Sequence, residues 1–549
     1  MTNFFDLILK ESENYLSLES IEKALESSAN LEQFPVQPLY LAFNQLTLEQ
    51  QSALVPRLGQ KQRQLFMDID LWRKDQLNIG QFERWITIYS QVEEKLQYEF
   101  TKSEEFALFL KARFNIWTFD VDDPLYPDHD YYFLTDDQML LVEYDPDCEY
   151  ATELKTLIKN LYTQEGVENA YTYLFKIVTD QMGLMQEEEY RFKKGRLEDL
   201  GMMDYYDSLE HTHSFHQEGQ IKAFLSKATP STGSIDDESK NQTLNYQLVS
   251  SFKNLDQELE KELSKVNDTF RQDFLRFNFI KLINANVELS GGLQKGTIEL
   301  HSQIKKSKTE IELGLHYAQY FWAQFNKEGN ILDALTLTDL YRIGHSLLEI
   351  NRRKLSKKFS ELNLDETFDP FCGSYIERLI AQCFKGNVIE DFDGSEFTIE
   401  DVPTFEKWKD LLQLLIDLLP FAKNFHQRFI ELKESGTLSD HFYLNYDLSD
   451  IDLPALLLSS LSQFHLGYKN AEKPRLALTK EEYLQVAGDF SNGKLNESIT
   501  LFIKEYGLGE VNRIQDLLNY FLKEAFDGVN LDELSDEEFK YVGGPLILA

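Results

Sequence analysis

Cysteine and proline are scarce in this chain, and both scarcities restrict what the protein can be. Among 549 residues there are three cysteines, Cys148, Cys372 and Cys383. They are too few and too widely spaced for a disulfide framework or a zinc ribbon, so reduced thiols in the cytoplasm are the simplest interpretation. The 13 prolines and 26 glycines are few for this length, which favours long regular secondary structure.

Positive charge is also in deficit, because 55 Lys and Arg face 93 Asp and Glu for a net charge of −38. Such a charge opposes binding to nucleic acid and to anionic membranes. Apolar runs are short: the longest, 411–421, contains Asp417 and Pro420 and cannot span a bilayer. The first residues lack a basic segment and a cleavage site, so we expect no secretory signal.

Apolar side chains are abundant, and their spacing indicates the fold class. The hydrophobic share is 42%, with 40 Phe and 27 Tyr, ample for packed cores. Leu174, Phe175, Val178, Met182 and Met185 recur at helical spacing, and we expect that helix to break near Gly195 or Gly201. Similar spacing almost everywhere predicts a mostly α protein of stacked helical hairpins and long helices.

Strands are expected mainly in residues 131–144, YYFLTDDQMLLVEY, which read as one small β-hairpin. Apolar residues from Leu255 to Phe277 predict a single helix of about 40 residues. Pro420 is expected to stop one helix, and Gly436 to end the next. Three capping boxes mark helix starts: Thr47–Gln50, Thr479–Glu482 and Ser535–Glu538.

Composition shifts divide the chain into five parts. Residues 1–100 read as a helical interaction module, because short stacked helices build interaction superhelices. Residues 101–225 form an acidic domain with the β-hairpin, and 226–246 a linker or disordered loop. A long-helix domain, 247–360, and an acidic helical domain, 361–549, complete the chain.

One cluster contains side chains suited to a metal ion. Asp204 and Asp207 share a predicted helix face, and His211, His213 and His216 follow directly. Carboxylate and neutral imidazole are both ligands of zinc and similar ions. The alternative is a solvated run that enters a linker, because histidines two residues apart diverge and no HExxH motif or cysteine pair supports them.

A second acidic stretch, 120–150, holds eleven Asp or Glu, six Tyr or Phe and no Lys or Arg. Its five aspartates before the hairpin are candidate oxygen ligands for a divalent cation: Asp120, Asp122, Asp123, Asp128 and Asp130. They do not match the calcium-loop pattern of glycine and glutamate. A solvated acidic loop above an aromatic layer is the competing interpretation.

The last residues, VGGPLILA, are apolar, and two interpretations remain open. They form either a packed end strand or a tail that docks to a partner.

Four stretches together resemble an uncharacterised bacterial family of soluble proteins, a domain of unknown function of delta-proteobacterial type: LFMDIDLWRKD, YYFLTDDQMLLVEY, YRFKKGRLEDLGMMDYY and LYRIGHSLLEINRRKL. The resemblance implies a bacterial, cytoplasmic, mostly helical protein and supplies no catalytic residue. The N-terminal region also resembles, in its succession of short helices, the superhelices of bacterial magnesium-transporter N-domains and flagellar motor switch proteins.

These observations predict a cytoplasmic interaction, scaffold or regulatory protein with a protein partner, no cofactor, no nucleic acid and no membrane insertion. One alternative is a metal-dependent, hydrolase-like enzyme that uses the carboxylates and histidines of 204–216. A second is a regulator that senses divalent cations. The sequence contains no nucleophile elbow, P-loop or dinucleotide fingerprint.

Overall fold

The computed structural model describes most of the chain. The described residues are 19–27, 30–198, 202–230, 257–325, 327–365, 367–386, 388–435, 451–468, 477–527, 534–536, 539 and 546–547. The chain folds into two compact units, each assembled from separate stretches. The first unit comprises Met1–His213, Ala228–Lys308 and Glu328–Asp339, and the second comprises Ser214–Lys227, Thr309–Lys327 and Leu340–Ala549. The five-part division stays a prediction.

Short helices form most of the first unit. From the N-terminus these are α1 Glu19–Glu26, α2 Val36–Phe43, α3 Leu48–Leu54, α4 Gln60–Asp70, α5 Ile79–Ser90, α6 Glu94–Thr101, α7 Glu104–Arg113, α8 Ala151–Glu165, α9 Val167–Thr179, α10 Met182–Glu198 and α11 Tyr205–Thr212. Later in the chain follow α13 Gln257–Ser264, α14 Thr269–Leu289, the start of α15 Gly296–Gln324, and α16 Ile331–Ala334. These helices share an aromatic core, in which Phe82 stacks on Phe109 and Tyr89 on Phe100.

Two small antiparallel sheets interrupt these helices. Strands β1 Trp72–Arg73 and β2 Gln76–Leu77 form a pair. The other sheet has the order β3 Asn115–Thr118, β5 Leu140–Glu143, β4 Tyr132–Leu134. Ile116 and Phe133 both align with Val142, which is fully buried in the central strand. Both outer strands leave one edge without a sheet partner among the described strands.

The second unit contains longer helices. They are α12 Glu218–Lys227, the rest of α15, most of α17 Leu337–Leu362, α18 Phe368–Phe371, α19 Ser374–Lys385, α20 Val402–Glu434, α21 Leu453–His465, α22 Lys480–Ser491, α23 Leu495–Glu505 and α24 Ile514–Phe526, with one strand pair, β6 Val388–Glu390 and β7 Glu396–Thr398.

Two glycines let α15 and α17 approach closely within the second unit. A Cβ at Gly314 would lie 1.9 Å from the carbonyl oxygen of Leu340, and one at Gly344 would lie 1.9 Å from that of Glu310. Any side chain at either position therefore pushes the two backbones apart.

The mostly α class is confirmed, and so are the hairpin and the capping boxes at Thr47 and Thr479. The expectation that strands lie mainly in 131–144 is wrong, because the hairpin pairs with a further strand, β3, and two other strand pairs occur outside that range. The third box, at Ser535, lies partly outside the described residues. The three cysteines are free thiols.

Two helices that were expected to be continuous are interrupted. The helix through Leu174 ends at Thr179 and a new one begins at Met182. This second helix passes through Gly195 and ends at Glu198, close to the other predicted break at Gly201, which itself lies outside the described residues. The expected 40-residue helix breaks between Ser264 and Thr269, where Asp268 caps α14 by accepting a hydrogen bond from the Phe270 amide. In both cases the apolar spacing continues across the break, so periodicity alone cannot reveal it.

Pro420 does not stop a helix. It lies inside α20, which continues from Val402 to Glu434. Proline removes one backbone hydrogen bond there, but Leu418, Leu419 and Ala422 on either side are buried. The free energy gained by packing this apolar face therefore outweighs the loss of that hydrogen bond. Gly436 lies outside the described residues.

The apolar end of the chain is packed where it is described. Leu546 and Ile547 are fully buried, and the carbonyl of Ile547 accepts a hydrogen bond from the Leu478 amide while its own amide donates to the hydroxyl of Ser459. This confirms the packed interpretation for these two residues. The expected linker lies largely outside the described residues. Among the described helices, none has the length and apolar character needed to cross a membrane.

Candidate functional sites in the first unit

Three buried carboxylates meet between helices α4, α7 and α10. Asp68, Glu105 and Glu189 each contribute an oxygen, and these oxygens lie within 4.8 Å of one another. The three residues are 1%, 1% and 5% exposed. We call this group the carboxylate cluster. Within the described part of the chain, it is the one group of histidine, cysteine and acidic side chains close enough to share a cation.

Arg196, from α10, supplies the positive charge in the carboxylate cluster. Its guanidinium donates two hydrogen bonds of 2.7 Å to Asp68, one of 2.5 Å to Glu189 and one of 3.4 Å to Glu105. The side-chain amide of Gln64 also donates to Glu105, at 2.8 Å. Arg196 and Gln64 also line a cavity of about 290 Å³.

Burial raises the pKa values of the three carboxylates, and the single cation Arg196 offsets this only in part. Burial, together with the charges of Glu189 and Asp68, raises the pKa of Glu105 to about 8 despite the lowering effect of Arg196. Burial likewise raises the pKa values of Asp68 and Glu189, although Arg196 opposes both shifts. Glu105 therefore holds a proton at neutral pH, which removes one negative charge from the cluster.

A second charged network surrounds Asp204, the first residue of the predicted metal cluster. Asp204 caps α11 by accepting a hydrogen bond from the Asp207 amide, and it also accepts one from the hydroxyl of Tyr190. Lys194 lies 3.3 Å from Asp204 and 2.7 Å from Asp207. Although burial raises the pKa of Asp204, these three donors lower it more, so the carboxylate is ionised and already neutralised by a lysine.

The predicted histidines have separate partners. His211 lies 3.1 Å from the hydroxyl of Thr338, and His213 contacts the carbonyl of Glu210 at 2.9 Å. His216 belongs to the second unit, where its Nδ1 lies 3.3 Å from Arg353. The structure thus brings Asp204 and Asp207 together around Lys194, and it gives each histidine a neighbour of its own. A metal site at these five residues stays a prediction.

The five aspartates of 120–130 are all exposed, in the loop between β3 and β4. Large apolar side chains are exposed in the same part of the chain, with Trp117 at 56%, Leu125 at 83% and Tyr126 at 54%. Tyr131 and Met139 are exposed as well. We call residues 115–145, with this loop and the three-stranded sheet, the acidic sheet surface.

Glu143 organises the acidic sheet surface from the central strand. Its carboxylate accepts hydrogen bonds from Trp117 Nε1 at 3.1 Å and from Asn115 Nδ2 at 3.5 Å, and it lies 2.9 Å from His129 Nε2. Burial raises its pKa, but these three partners together outweigh burial and lower it. Glu143 is therefore a fixed negative charge among aromatic rings.

A cavity of about 200 Å³ lies beside Glu143. Carboxylates and aromatic rings both line it, the main ones being Glu143, Asp145, His129, Tyr131 and Tyr144. Arg113 closes one side through an ion pair of 2.7 Å with Asp145. The lining can receive a cationic group, which carboxylates attract electrostatically and aromatic faces bind by cation–π contact.

The acidic stretch is evident in the sequence, whereas the carboxylate cluster is not. Asp68, Glu105 and Glu189 lie on three different helices, and no local motif connects them. A charged residue at an otherwise apolar helix position was the one available signal: Glu105 precedes five buried residues in α7. Such a signal predicts that a charged side chain is buried, but it does not predict which other charged side chains it contacts.

Comparisons with known proteins place the chain in a family without assigning an activity. No curated protein and no solved structure matches the chain. The likeness to magnesium-transporter and motor-switch superhelices therefore gains no support. A family model matches residues 11–528, nearly the whole chain. The chain belongs to the family of unknown function DUF6178.

Proposed function

We propose that this chain is a helical interaction protein that binds a basic segment of a partner protein through the acidic sheet surface. The observation that carries the proposal is the coincidence of exposed carboxylates and exposed apolar side chains between residues 115 and 145. Residues 120–150 contain no Lys or Arg of their own to neutralise those carboxylates.

The chemistry of this surface specifies the partner. Aromatic side chains are enriched where proteins bind one another, because they bury a large area at a small cost in conformational entropy. The carboxylates attract a positively charged partner from a distance and repel acidic ones. Lysine and arginine combine both requirements, since each binds carboxylates and stacks on aromatic faces.

The cavity beside Glu143 gives the partner a point of attachment. Its tyrosines and Glu143 line a space beside the Arg113–Asp145 ion pair, and we expect one long cationic side chain of the partner to enter it. Among the described residues of the predicted N-terminal module, by contrast, Leu48 is the one exposed large apolar side chain. Partner binding by residues 1–100 therefore remains a separate prediction.

Fluorescence anisotropy of labelled oligo-arginine and oligo-lysine peptides tests the proposal. We expect saturable binding that weakens with salt, and no binding of oligo-glutamate. Because the whole chain is acidic, basic peptides could bind elsewhere on it. The position of the binding site is therefore tested with variants of the acidic sheet surface, each compared with a control variant outside that surface. Asp128→Asn with Asp130→Asn should lower the affinity several-fold, whereas Glu187→Gln with Glu188→Gln, two exposed acids on α10, should have little effect.

The aromatic contribution needs its own pair of variants. Trp117→Ala should weaken binding, whereas Phe270→Ala removes a similarly exposed ring, at 59%, from a helix and should not. Equal losses from the surface variants and their controls would show that the peptides bind by net charge alone, and would contradict the proposal.

A further inference from the structure

Three side chains on consecutive helices of the second unit form a hydrogen-bonded chain. The hydroxyl of Ser498 on α23 lies 2.8 Å from His465 Nδ1 at the end of α21. His465 Nε2 lies 3.1 Å from a carboxylate oxygen of Asp489 on α22. We propose that Ser498, His465 and Asp489 form a catalytic centre for acyl transfer that hydrolyses carboxylic esters, with Ser498 as the nucleophile.

The direction of the hydrogen bonds follows from the carboxylate. Asp489 accepts a hydrogen bond from His465 and another from Lys494 Nζ, 3.1 Å away, and both lower its pKa. An ionised Asp489 requires His465 to carry its proton on Nε2. Nδ1 then keeps its lone pair and accepts the hydroxyl proton of Ser498. This is the serine–histidine–aspartate arrangement with the two ring nitrogens exchanged.

Ser498 differs from other hydroxyl residues of the same helices. Ser491 donates to the carbonyl of Ala487 at 3.0 Å, and Thr500 donates to that of Asn496 at 2.9 Å. Both bonds run back along the residue's own helix, as serine and threonine in helices commonly do. The described hydrogen bond of Ser498 leaves its helix and reaches a histidine, which is the arrangement that activates a serine.

Burial supports a reactive role. The side chains of His465 and Asp489 are 12% and 18% exposed, so water is largely kept from the bond that orients the base. Ser498 itself is half-buried. Lys494, on the other oxygen of Asp489, is 69% exposed and holds the carboxylate in place.

The start of α23 offers donors for the developing oxyanion. Ser498 lies near the beginning of this helix, and Lys494, which precedes it, makes no side-chain cap. Side chains in a helix slope toward its N-terminus, where free amide groups and the helix dipole favour negative charge. The amides at the start of α23, apart from that of Asn496, which donates to the Gly493 carbonyl, are therefore the donors that we expect an acyl oxygen beside Ser498 to meet.

The reaction balances with water as the second substrate. Ser498 Oγ bonds to the acyl carbon while its proton moves to His465 Nδ1. The bond to the alcohol oxygen then breaks, and His465 returns the proton to that oxygen. Water attacks the acyl–serine ester in the same way, which releases the carboxylic acid and restores Ser498. Asp489 touches no substrate and acts by positioning His465.

Labelling of the full-length protein with a fluorophosphonate tests the nucleophile directly. We expect one adduct per chain, mapped to Ser498 by mass spectrometry, and turnover of p-nitrophenyl acetate with an initial burst. Ser498→Ala should abolish both. Ser491→Ala, which removes a neighbouring hydroxyl with a purely helical hydrogen bond, should keep both.

The role of Asp489 in positioning His465 is tested by the rate of labelling. Asp489→Asn should lower the maximal labelling rate at least tenfold at an unchanged half-saturating probe concentration, and Asp489→Glu should restore part of it. A wild-type protein that is folded by circular dichroism but labels Ser498 no faster than Ser491 would overturn the proposal. That result needs no variant, so it holds even if a substitution prevents folding.

Discussion

Arg196 donates two parallel hydrogen bonds, each 2.7 Å long, to Asp68, which precedes it by 128 residues. This bidentate pair, with the contacts to Glu189 and Glu105, connects α10 to α4 and α7. Arginine has the geometry for such a contact, and lysine does not.

Removing this guanidinium should destabilise the first unit. Arg196→Gln leaves three buried carboxylates without their cation, and the loss of one partner from a buried ion pair costs about 3 kcal/mol or more. Urea unfolding measures the change. Arg191→Gln, on an exposed position of the same helix, is the matched control and should lie within about 0.5 kcal/mol of wild type. Equal stability of the two variants would show that the cluster does not need Arg196.

The raised pKa of Glu105 predicts a pH dependence of stability. The folded protein keeps this proton up to about pH 8, whereas the unfolded chain releases it near the ordinary value of 4.5. The folded state therefore binds more protons in this window, so stability should fall as pH rises from about 4.5 to about 8. Glu105→Gln should flatten the dependence, and Glu104→Gln, on the exposed neighbour, should not. A variant as pH-dependent as wild type would disprove the assignment.

The crossing of α15 and α17 predicts opposite effects of two glycine substitutions. Gly344→Ala places a methyl group against the backbone of Glu310, and we expect destabilisation by about 3 kcal/mol. Gly488→Ala, inside α22 with no neighbouring atom within 4 Å, should stabilise the same unit by about 0.5–1 kcal/mol. Thermal unfolding distinguishes them, and a tolerated Gly344→Ala would show that the helices can separate without cost.

Metal content provides a fourth test. Because Lys194 already neutralises Asp204 and Asp207, we expect elemental analysis after dialysis to find well below one zinc, iron or manganese per chain. Changing His211, His213 and His216 to Ala should leave that content unchanged. A full equivalent of metal that disappears in the triple variant would instead support the metal-dependent enzyme.

Local signals predicted much of the fold. The hairpin around Thr135 and the capping boxes at Thr47 and Thr479 depend on residues a few positions apart, and these are present as expected. The interruption at 265–268 and the uninterrupted helix at Pro420 depend on tertiary packing, which apolar spacing does not encode. The candidate sites depend on it even more, since Ser498 and His465 are 33 residues apart and belong to different helices.

The division of the chain into interleaved stretches has a consequence for its synthesis. All residues of the first unit have been made once Asp339 is added, whereas the second unit begins at Ser214 and still buries Leu546 and Ile547. Folding proceeds from the N-terminus as the chain grows. The stretch 214–227 must therefore wait for most of its packing partners, and the second core closes only after residue 547 is in place. During that interval its apolar faces are exposed, so we expect this unit to be the more prone to aggregation while the chain is being made.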